Sequence, residues 1–391
     1  MKKALVLGAG TYQVPLIRKS KERGFHTIVV SVAGNYPGFA LADKPYFINT
    51  VDCDAIVRLA QEEMIDCVCT TGTDVAMQAL GAVCDQLGLP GITEEAGILA
   101  TNKREMKLKF DAGGVRTAHF REVDSLEQLR VAFDLLAKPV ICKAVDTSGS
   151  RGIIKVNTVD QLPEAFRYAR GASQKNYILI EEYIQGVEFG AQAAVIEGEL
   201  QFVMLHGDIL HHGKTDIPVG HYVPYSVPAH VEEDAKRQIK LAVKALGLST
   251  CVINADFVLR GDQVYVLEIG ARGGATCLPE LVSTYYDMDY YGYILDLSLG
   301  LKPQMEFKPK FPCGNLLIKS ASAGTLEGFE INGDHLDIVE VVHDYKPGDK
   351  VPAFQLGPDR LGHVVIRGAD DVEVLHDLKV LENNIKVILR S

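Results

Sequence analysis

The chain has 391 residues, of which 47% are apolar and 23% are charged, so it has the composition of an ordinary globular protein with room for two or three domains. Its 40 basic and 51 acidic residues give a net charge of −11, which argues against a nucleic-acid or anionic-membrane partner. No apolar run approaches the roughly 20 residues of a membrane helix, and the N-terminal run is too short for a signal peptide. We therefore expect a cytoplasmic protein.

Eight cysteines are scattered along the chain without any C-x-x-C pair. Most of them lie inside apolar runs. We expect buried, small apolar side chains rather than disulfides or metal ligands.

The N-terminal segment reads as an apolar strand, a Gly-x-Gly turn, a helix and a second strand, which is the opening of a doubly wound parallel α/β domain over residues 1–95. The turn lacks the third glycine of the dinucleotide fingerprint, and no acidic residue ends the second strand, so a nicotinamide cofactor is not expected. Backbone N–H groups at this turn, including that of Gly10, suit a carboxylate or another small anion. A turn that serves packing alone fits the sequence equally well.

Lys143 lies in an apolar strand directly before a loop of small residues, 147–152. A lysine in such a strand is costly unless its charge is used or reaches water. The loop could donate backbone N–H groups to phosphates, although lysines beside flexible loops are also common without a ligand. Two further strands follow, with acidic residues at Glu181, Glu182 and Glu188 that suit either a ligand or water.

Four histidines occupy the segment 206–228, together with Gly and Pro residues. They are His206, His211, His212 and His221. Their spacing matches no zinc motif, so we expect them near a substrate instead.

The segment 251–272 reads as a β-hairpin around a Gly-containing turn. Its odd positions are mostly apolar and suit a face on the core, whereas its even positions include Asp256, Glu268 and Arg272. A three-residue loop, 261–263, would set Asp256 directly across from Glu268, where like charges destabilise a sheet. Either water screens the pair or a hard cation such as Mg²⁺ lies between the carboxylates, and we favour the cation.

In this order, the α/β opening, the strand lysine with its small-residue loop, the Ile-Glu-Glu-Tyr-Ile strand end and the acidic hairpin resemble the ATP-grasp superfamily over nearly the whole chain. The resemblance implies a pre-ATP-grasp α/β domain (1–95), an ATP-grasp domain (96–305) with a mobile lid (115–183), and a C-terminal α+β, strand-rich cap (306–391). It also implies ATP with Mg²⁺, or with Mn²⁺ in its place.

The resemblance also implies site residues. Expected to bind ATP are Lys103, Lys143, Ser148, Gly149, Glu181, Glu182, Tyr183, Ile184 and Glu188. Asp256 and Glu268 would bind the metal, and Arg272 and Lys143 would be catalytic. Expected near the substrates are His221, Arg272, Gly273 and Gly10.

The sequence departs from the family at Gly270, because the usual Glu-x-Asn reads Glu268-Ile269-Gly270 here. A water could replace the missing amide ligand, or Glu268 and the nucleotide could hold the second metal ion by themselves.

The resemblance implies a carboxylate–amine ligase that forms a C–N bond through an acylphosphate and joins an amino acid to an amine or to a second amino acid. One alternative is a carbamoyl-phosphate-synthase-like or carboxylase-like enzyme that phosphorylates bicarbonate. Another is a nucleotide-binding module without turnover, which Gly270 keeps open. We expect a homodimer that acts on small molecules.

Overall fold

A four-stranded parallel sheet opens the computed structural model, which describes residues 1–147, 152–212, 216–333 and 335–390. Its strands are β1 (Lys3–Leu7), β2 (His26–Ser31), β3 (Lys44–Phe47) and β4 (Cys67–Cys69), in the order β3-β2-β1-β4. Its helices are α1 (Val14–Glu22), α2 (Cys53–Glu63) and α3 (Met77–Leu87). The buried centres of β1 and β2, residues 4–7 and 28–30, consist of Ala, Val, Leu and Ile, as parallel strands covered on both faces require.

Two helices lead from this sheet to a small separate lobe, which we call the lid. These helices are α4 (Glu94–Leu99) and α5 (Lys103–Gly113). The lid comprises β5 (Phe120–Val123), α6 (Leu126–Leu135), β6 (Val140–Lys143), β7 (Ile153–Val156), α7 (Leu162–Ala172) and β8 (Ile178–Glu182). Its antiparallel sheet has the order β5-β8-β6-β7, and its apolar face packs with α6 and α7 into a core of its own.

An eight-stranded antiparallel sheet forms the centre of the molecule, in the order β13-β12-β9-β10-β11-β14-β18-β16. The elements up to the hairpin are β9 (Val187–Ile196), β10 (Glu199–His211), β11 (Ile217–Val223), α8 (Ala229–Leu246), β12 (Cys251–Arg260) and β13 (Gln263–Gly270). Helices α9 (Leu278–Tyr286) and α10 (Tyr290–Ser298) follow. One apolar core joins this sheet and α8 to α3, α4 and the N-terminal strands.

The C-terminal strands extend the same sheet and add a second one. They are β14 (Cys313–Ile318), β15 (Gly324–Ile331), β16 (Asp337–His343), β17 (Lys350–Val351), β18 (Gly362–Arg367) and β19 (Ile385–Arg390), with helix α11 (Asp371–Asn384) before the last strand. The second sheet has the order β17-β15-β19. The domain boundaries stay a prediction.

The hairpin differs from its predicted geometry in one respect. Arg260 pairs with Gln263, so the loop has two residues rather than three, and a β-bulge after Asp256 restores the pairing of Asp256 with Glu268. The bulge also shifts the core face of β13, because Val264 and Val266 are buried there while the odd positions 265 and 267 are not fully covered. The facing carboxylates are confirmed; the loop length and the strictly odd core face are wrong.

Candidate active site

Two lysines share one buried carboxylate at the base of the lid. Lys107 Nζ lies 3.0 Å and Lys143 Nζ 2.9 Å from the same oxygen, Oε2 of Glu181. Lys107 and Glu181 are only 2% and 1% exposed. Burial alone would raise the pKa of Glu181, but the two ammonium groups lower it to about 2. The cluster of these three residues, which we call the lysine cluster, therefore carries a net positive charge.

Lys103 bridges the lysine cluster and the hairpin. Asn102 caps helix α5 by accepting hydrogen bonds from the N–H groups of Arg104 and Glu105, and this fixes Lys103 at the first position of the helix. Lys103 and Lys107 are four residues apart, so both side chains lie on one face of the helix. The ammonium of Lys103 lies 3.1 Å from both carboxylate oxygens of Glu268 and donates to the carbonyl of Thr147 at 2.8 Å.

Asp256 and Glu268 face each other across β12 and β13. Asp256 is exposed, yet the surrounding protein and the neighbouring Glu268 raise its pKa to about 7. The side-chain amide of Asn254 donates a long hydrogen bond of 3.3 Å to Asp256 Oδ1. Two carboxylates that repel each other and have spare oxygen lone pairs are the donor set that Mg²⁺ prefers.

Arg272 is held by a residue that the sequence did not single out. Its Nε and Nη2 donate to Oδ1 and Oδ2 of Asp74 at 2.8 and 2.7 Å, which is a bidentate pair between nearly buried side chains. A Cβ atom on Gly270 would lie 2.9 Å from Asp74 Oδ1. The absent side chain at position 270 thus leaves space for the carboxylate that orients Arg272. Gly273 follows Arg272 in the chain. It links this region to the end of the parallel sheet, because its carbonyl accepts a hydrogen bond from the N–H of Gly72.

His221 belongs to a buried cluster on the central sheet. Oδ1 of Asp208 forms hydrogen bonds with Nδ1 of both His206 and His221, at 3.1 and 2.7 Å. The two imidazole rings pack edge to face. The ring of His206 stands over Gly190, the residue that separates it from Asp256 in the sheet. His206 Nε2 is buried and has no hydrogen-bond partner among the residues the structure describes. His211 and His212 lie outside this cluster and are exposed.

The predicted hinge strand, 181–184, lies where the lid meets the central sheet. Two of its amides are already used, because Glu182 donates to the carbonyl of His119 and Tyr183 to that of Pro139. Ile184 joins Ala118 and Val258 in a small apolar cluster beside the hinge. Such a surface suits a flat aromatic ring.

The remaining predicted residues have varied surroundings. Glu188 is exposed at the start of β9, where partial desolvation by the surrounding protein and the charge of Asp208 raise the pKa of its carboxyl. The N–H of Gly10 donates to Gln13 Oε1 at 2.9 Å, so it is not the free anion donor that the turn suggested. Ser148 and Gly149 lie outside the described residues.

Sequence reasoning missed Lys107 and Asp74. For Lys107 a signal was present, since it follows Lys103 by one helical turn and a lysine on the buried face of a helix needs a partner. No local signal marked Asp74, which lies 198 residues from Arg272 in the chain.

Comparisons with known proteins agree with this geometry. The sequence pattern of the ATP-grasp domain matches residues 136–280, and that of the L-amino acid ligase C-terminal domain 2 matches residues 318–390.

Individual relatives cover most or all of the chain. A crystal structure of phosphoribosylglycinamide synthetase from Anaerococcus prevotii is 32% identical, covers all of both chains and superposes with a TM-score of 0.84. A formate-dependent phosphoribosylglycinamide formyltransferase from Methanocaldococcus jannaschii is 23% identical over 72% of each chain. An L-amino acid ligase from Bacillus licheniformis is 18% identical over 100% of this chain and 99% of its own, with a TM-score of 0.83, and supports the fold alone.

The chain is therefore an ATP-dependent ligase that forms carbon–nitrogen bonds. It belongs to the ATP-grasp superfamily. This confirms the predicted family and fold class. Members of the family use ATP with Mg²⁺, and the relatives act on small molecules. In the part of the chain that the structure describes, no helix is both long and apolar enough to cross a membrane.

Proposed function

We propose that this protein joins an amino acid, through its carboxylate, to an amine or to a second amino acid, with ATP converted to ADP and phosphate. The observation that carries the proposal is a continuous group of charged side chains. Lys103 lies on the same helix face as Lys107 of the lysine cluster, and its ammonium contacts Glu268, which faces Asp256. The match of residues 318–390 to an L-amino acid ligase domain supports amino acids as substrates.

The lysine cluster is suited to the phosphate chain of ATP. Its two ammonium groups share one carboxylate, so it has one positive charge to spare, and phosphate oxygens would supply the missing negative charge. Because burial lowers the pKa of Lys107 to about 8, a nearby phosphate would also keep this side chain protonated. The hinge strand and its apolar neighbours would receive the base.

Asp256 and Glu268 would hold Mg²⁺. The residues fit this ion, because the two carboxylates face each other, Lys103 pairs with Glu268 alone, and the pKa of Asp256 is raised to about 7. When bound, Mg²⁺ would offset negative charge on the phosphate oxygens. Mn²⁺ accepts similar oxygen ligands.

The reaction consists of two displacements. A carboxylate oxygen of the acid attacks the γ-phosphorus, and ADP leaves. The amine then attacks the acyl carbon of the acylphosphate, loses a proton and expels phosphate. Arg272, oriented by Asp74, would neutralise charge on the transferring phosphoryl group or on the acid, and this needs no amide at position 270.

The histidine cluster would supply the acceptor for that proton. With Nδ1 donating to Asp208, a neutral His206 or His221 presents Nε2 as an acceptor, and the buried carboxylate stabilises the imidazolium that forms. His206 Nε2 lies over Gly190, which pairs with Asp256 in the neighbouring strand. We place the amine substrate there.

A second candidate follows from the 32% identical relative named phosphoribosylglycinamide synthetase and from the curated formyltransferases. In it, the amine would be carried on a phosphoribosyl group, and formate or glycine would be the acid. The chemistry at ATP is the same, so only the substrates separate the two candidates.

The deciding experiment measures phosphate release and products by mass spectrometry. The arms are pairs of the standard amino acids, glycine or formate with a phosphoribosyl amine, and bicarbonate. We expect release and a condensed product that is 18 Da lighter than the sum of two amino acids, because condensation removes one water. Release only with a phosphoribosyl amine would favour the second candidate, and release only with bicarbonate would overturn both. A homodimer stays a prediction that light scattering tests.

A further inference from the structure

We infer that the chain carries a second metal site, for Zn²⁺, formed by Cys277, Glu280 and His363 where the C-terminal strands meet helix α9. One ligand atom from each of these side chains lies within 4.8 Å of the others. Thiolate, carboxylate and imidazole are the three zinc-binding groups of proteins. This cluster, which we call the junction cluster, is separate from the proposed Mg²⁺ ligands and independent of the proposed function.

The junction cluster has buried atoms that lack partners. His363 is 2% exposed; its Nδ1 has no hydrogen-bond partner within the described residues, and its Nε2 lies 3.5 Å from Oε2 of Glu340. Glu280 Oε2 is equally buried and unpartnered there, although Oε1 accepts a hydrogen bond from Tyr291. Orphaned polar atoms of this kind are costly unless a ligand satisfies them. All three potential ligands therefore have lone pairs to give to one ion.

The local backbone places these groups. Cys277 precedes α9 in the left-handed region, at φ 67°, directly after Thr276 at φ 53°. This uncommon pair of residues turns the chain into the helix, with Cys277 at its N-cap and Glu280 in its first turn. His363 comes from β18, on the far side of the junction. A tetrahedral zinc ion keeps its ligand atoms about 3.3–3.8 Å apart, so small side-chain rotations would close the site.

The residues that surround the three proposed ligands make contacts of the kind found around metal ligands. Glu340 Oε2 lies 3.5 Å from His363 Nε2, and metal-bound imidazoles usually have a carboxylate at the other ring nitrogen. Arg360 Nη1 donates to Cys277 Sγ at 3.5 Å, while its own charge is offset by Asp344 at 2.9 Å. A thiolate, one carboxylate and a neutral imidazole would balance the two charges of Zn²⁺. Binding would therefore release protons from Cys277 and His363.

The fourth ligand position would face a small cleft. Its walls include Tyr12, Ala275, Cys277, Glu280 and Arg360. The ion would therefore link residues from the end of the matched ATP-grasp segment to one in the matched C-terminal segment. Its role is to fix the C-terminal strands on α9.

The test uses the full chain, freed of metal with a chelator and then dialysed against Zn²⁺ or Co²⁺. We expect about one Zn²⁺ per chain by mass spectrometry of the metal, a sulfur-to-cobalt absorption band with Co²⁺, and a higher apparent Tm with Zn²⁺ than without it. Cys277→Ser should abolish the band, and His363→Gln should weaken Zn²⁺ binding at least about 10-fold. The matched control is Cys313→Ser, since Cys313 is also buried but lies outside the junction cluster, where its Sγ donates to the carbonyl of Leu281.

Asp256→Asn should retain zinc, which separates this site from the proposed Mg²⁺ site. If Cys277→Ser fails to fold, the wild-type cobalt spectrum decides alone. Absence of the sulfur-to-cobalt band in the wild-type chain, or Zn²⁺ binding that Cys277→Ser and His363→Gln leave unchanged, would overturn the inference.

Discussion

The lysine cluster and the hairpin carboxylates lie on opposite sides of Lys103, and their charges are balanced in opposite ways. At the base of the lid, two ammonium groups surround one buried carboxylate, and the pKa of Glu181 falls to about 2. On the hairpin, two carboxylates face each other and the pKa of Asp256 rises to about 7. The first region has spare positive charge, whereas the second keeps an unbalanced carboxylate, Asp256, because Lys103 pairs with Glu268. The difference indicates where phosphate and metal would bind.

Removal of one hairpin carboxylate should have the largest effect on catalysis. We expect Asp256→Asn to lower kcat/KM by about 10³-fold, because metal ions supply several kcal/mol of charge stabilisation. Asp262→Asn, in the exposed turn of the same hairpin, is the matched control and should keep wild-type kinetics. Near-normal turnover of the Asp256 variant would remove the reason to place the metal there.

Neutralising Glu181, the carboxylate that Lys107 and Lys143 share, should destabilise the fold at the base of the lid. Glu181→Gln leaves Lys107 and Lys143 buried without a counter-charge, which costs about 3–5 kcal/mol. Thermal unfolding at pH 7 measures this loss, and Glu182→Gln, at the less buried neighbouring position, is the control. Because the folded-state pKa of Glu181 is lowered from 4.5, its stabilising effect in the wild type is complete above pH 4.5 and disappears as the pH falls toward 2. Equal stability of both variants would contradict the assigned role of the lysine cluster.

Loss of one positive charge from the lysine cluster should lower the catalytic efficiency with ATP. We expect Lys143→Met to reduce kcat/KM for ATP about 10- to 100-fold, since a hydrogen bond to a charged group contributes about 1.5–3 kcal/mol. Steady-state kinetics with varied ATP measure this, and Lys138→Met, at an exposed position before β6, is the control. An unchanged kcat/KM would make Lys143 a structural partner of Glu181 alone.

A side chain at position 270 should disturb Arg272 through Asp74, while Asp256 and Glu268 stay unchanged. Because a Cβ there would lie 2.9 Å from Asp74 Oδ1, Gly270→Ala should displace Asp74 and lower kcat about 10-fold by misorienting Arg272. Asp74→Asn should have a smaller effect in the same direction, because the amide keeps one hydrogen-bond acceptor. A wild-type kcat in Gly270→Ala would show that the orientation of Arg272 does not depend on the absence of a side chain at position 270.

The hairpin should also be more stable without its extra charge. The folded-state pKa of Asp256 is raised from 3.8 to about 7, so the carboxylate destabilises the nucleotide-free protein increasingly from pH 4 to 7 and fully above pH 7. We expect Asp256→Asn to raise the apparent Tm by a few degrees at pH 8 and by less at pH 5. A variant that is less stable than wild type at pH 8 would argue against the repulsion.

The sequence predicted those parts of the site that depend on local pattern. Period-2 alternation placed Asp256 and Glu268 on one face of the hairpin, although their direct pairing depends on the β-bulge. The β-bulge escaped prediction because an extra residue in one strand has no clear sequence signal. The partners of Glu181 and Arg272 depend on contacts between distant segments, so no local pattern revealed them. Gly270 looked like a missing ligand until the position of Asp74 explained it.

The most direct test of the central claim follows the oxygen atoms of the acid. An amino acid substrate labelled with ¹⁸O in its carboxylate is converted by the wild-type enzyme with ATP, and the released phosphate is analysed by mass spectrometry. An acylphosphate intermediate transfers one labelled oxygen to each phosphate, and this is the result we expect. Product formation with unlabelled phosphate would contradict activation of the carboxylate by ATP.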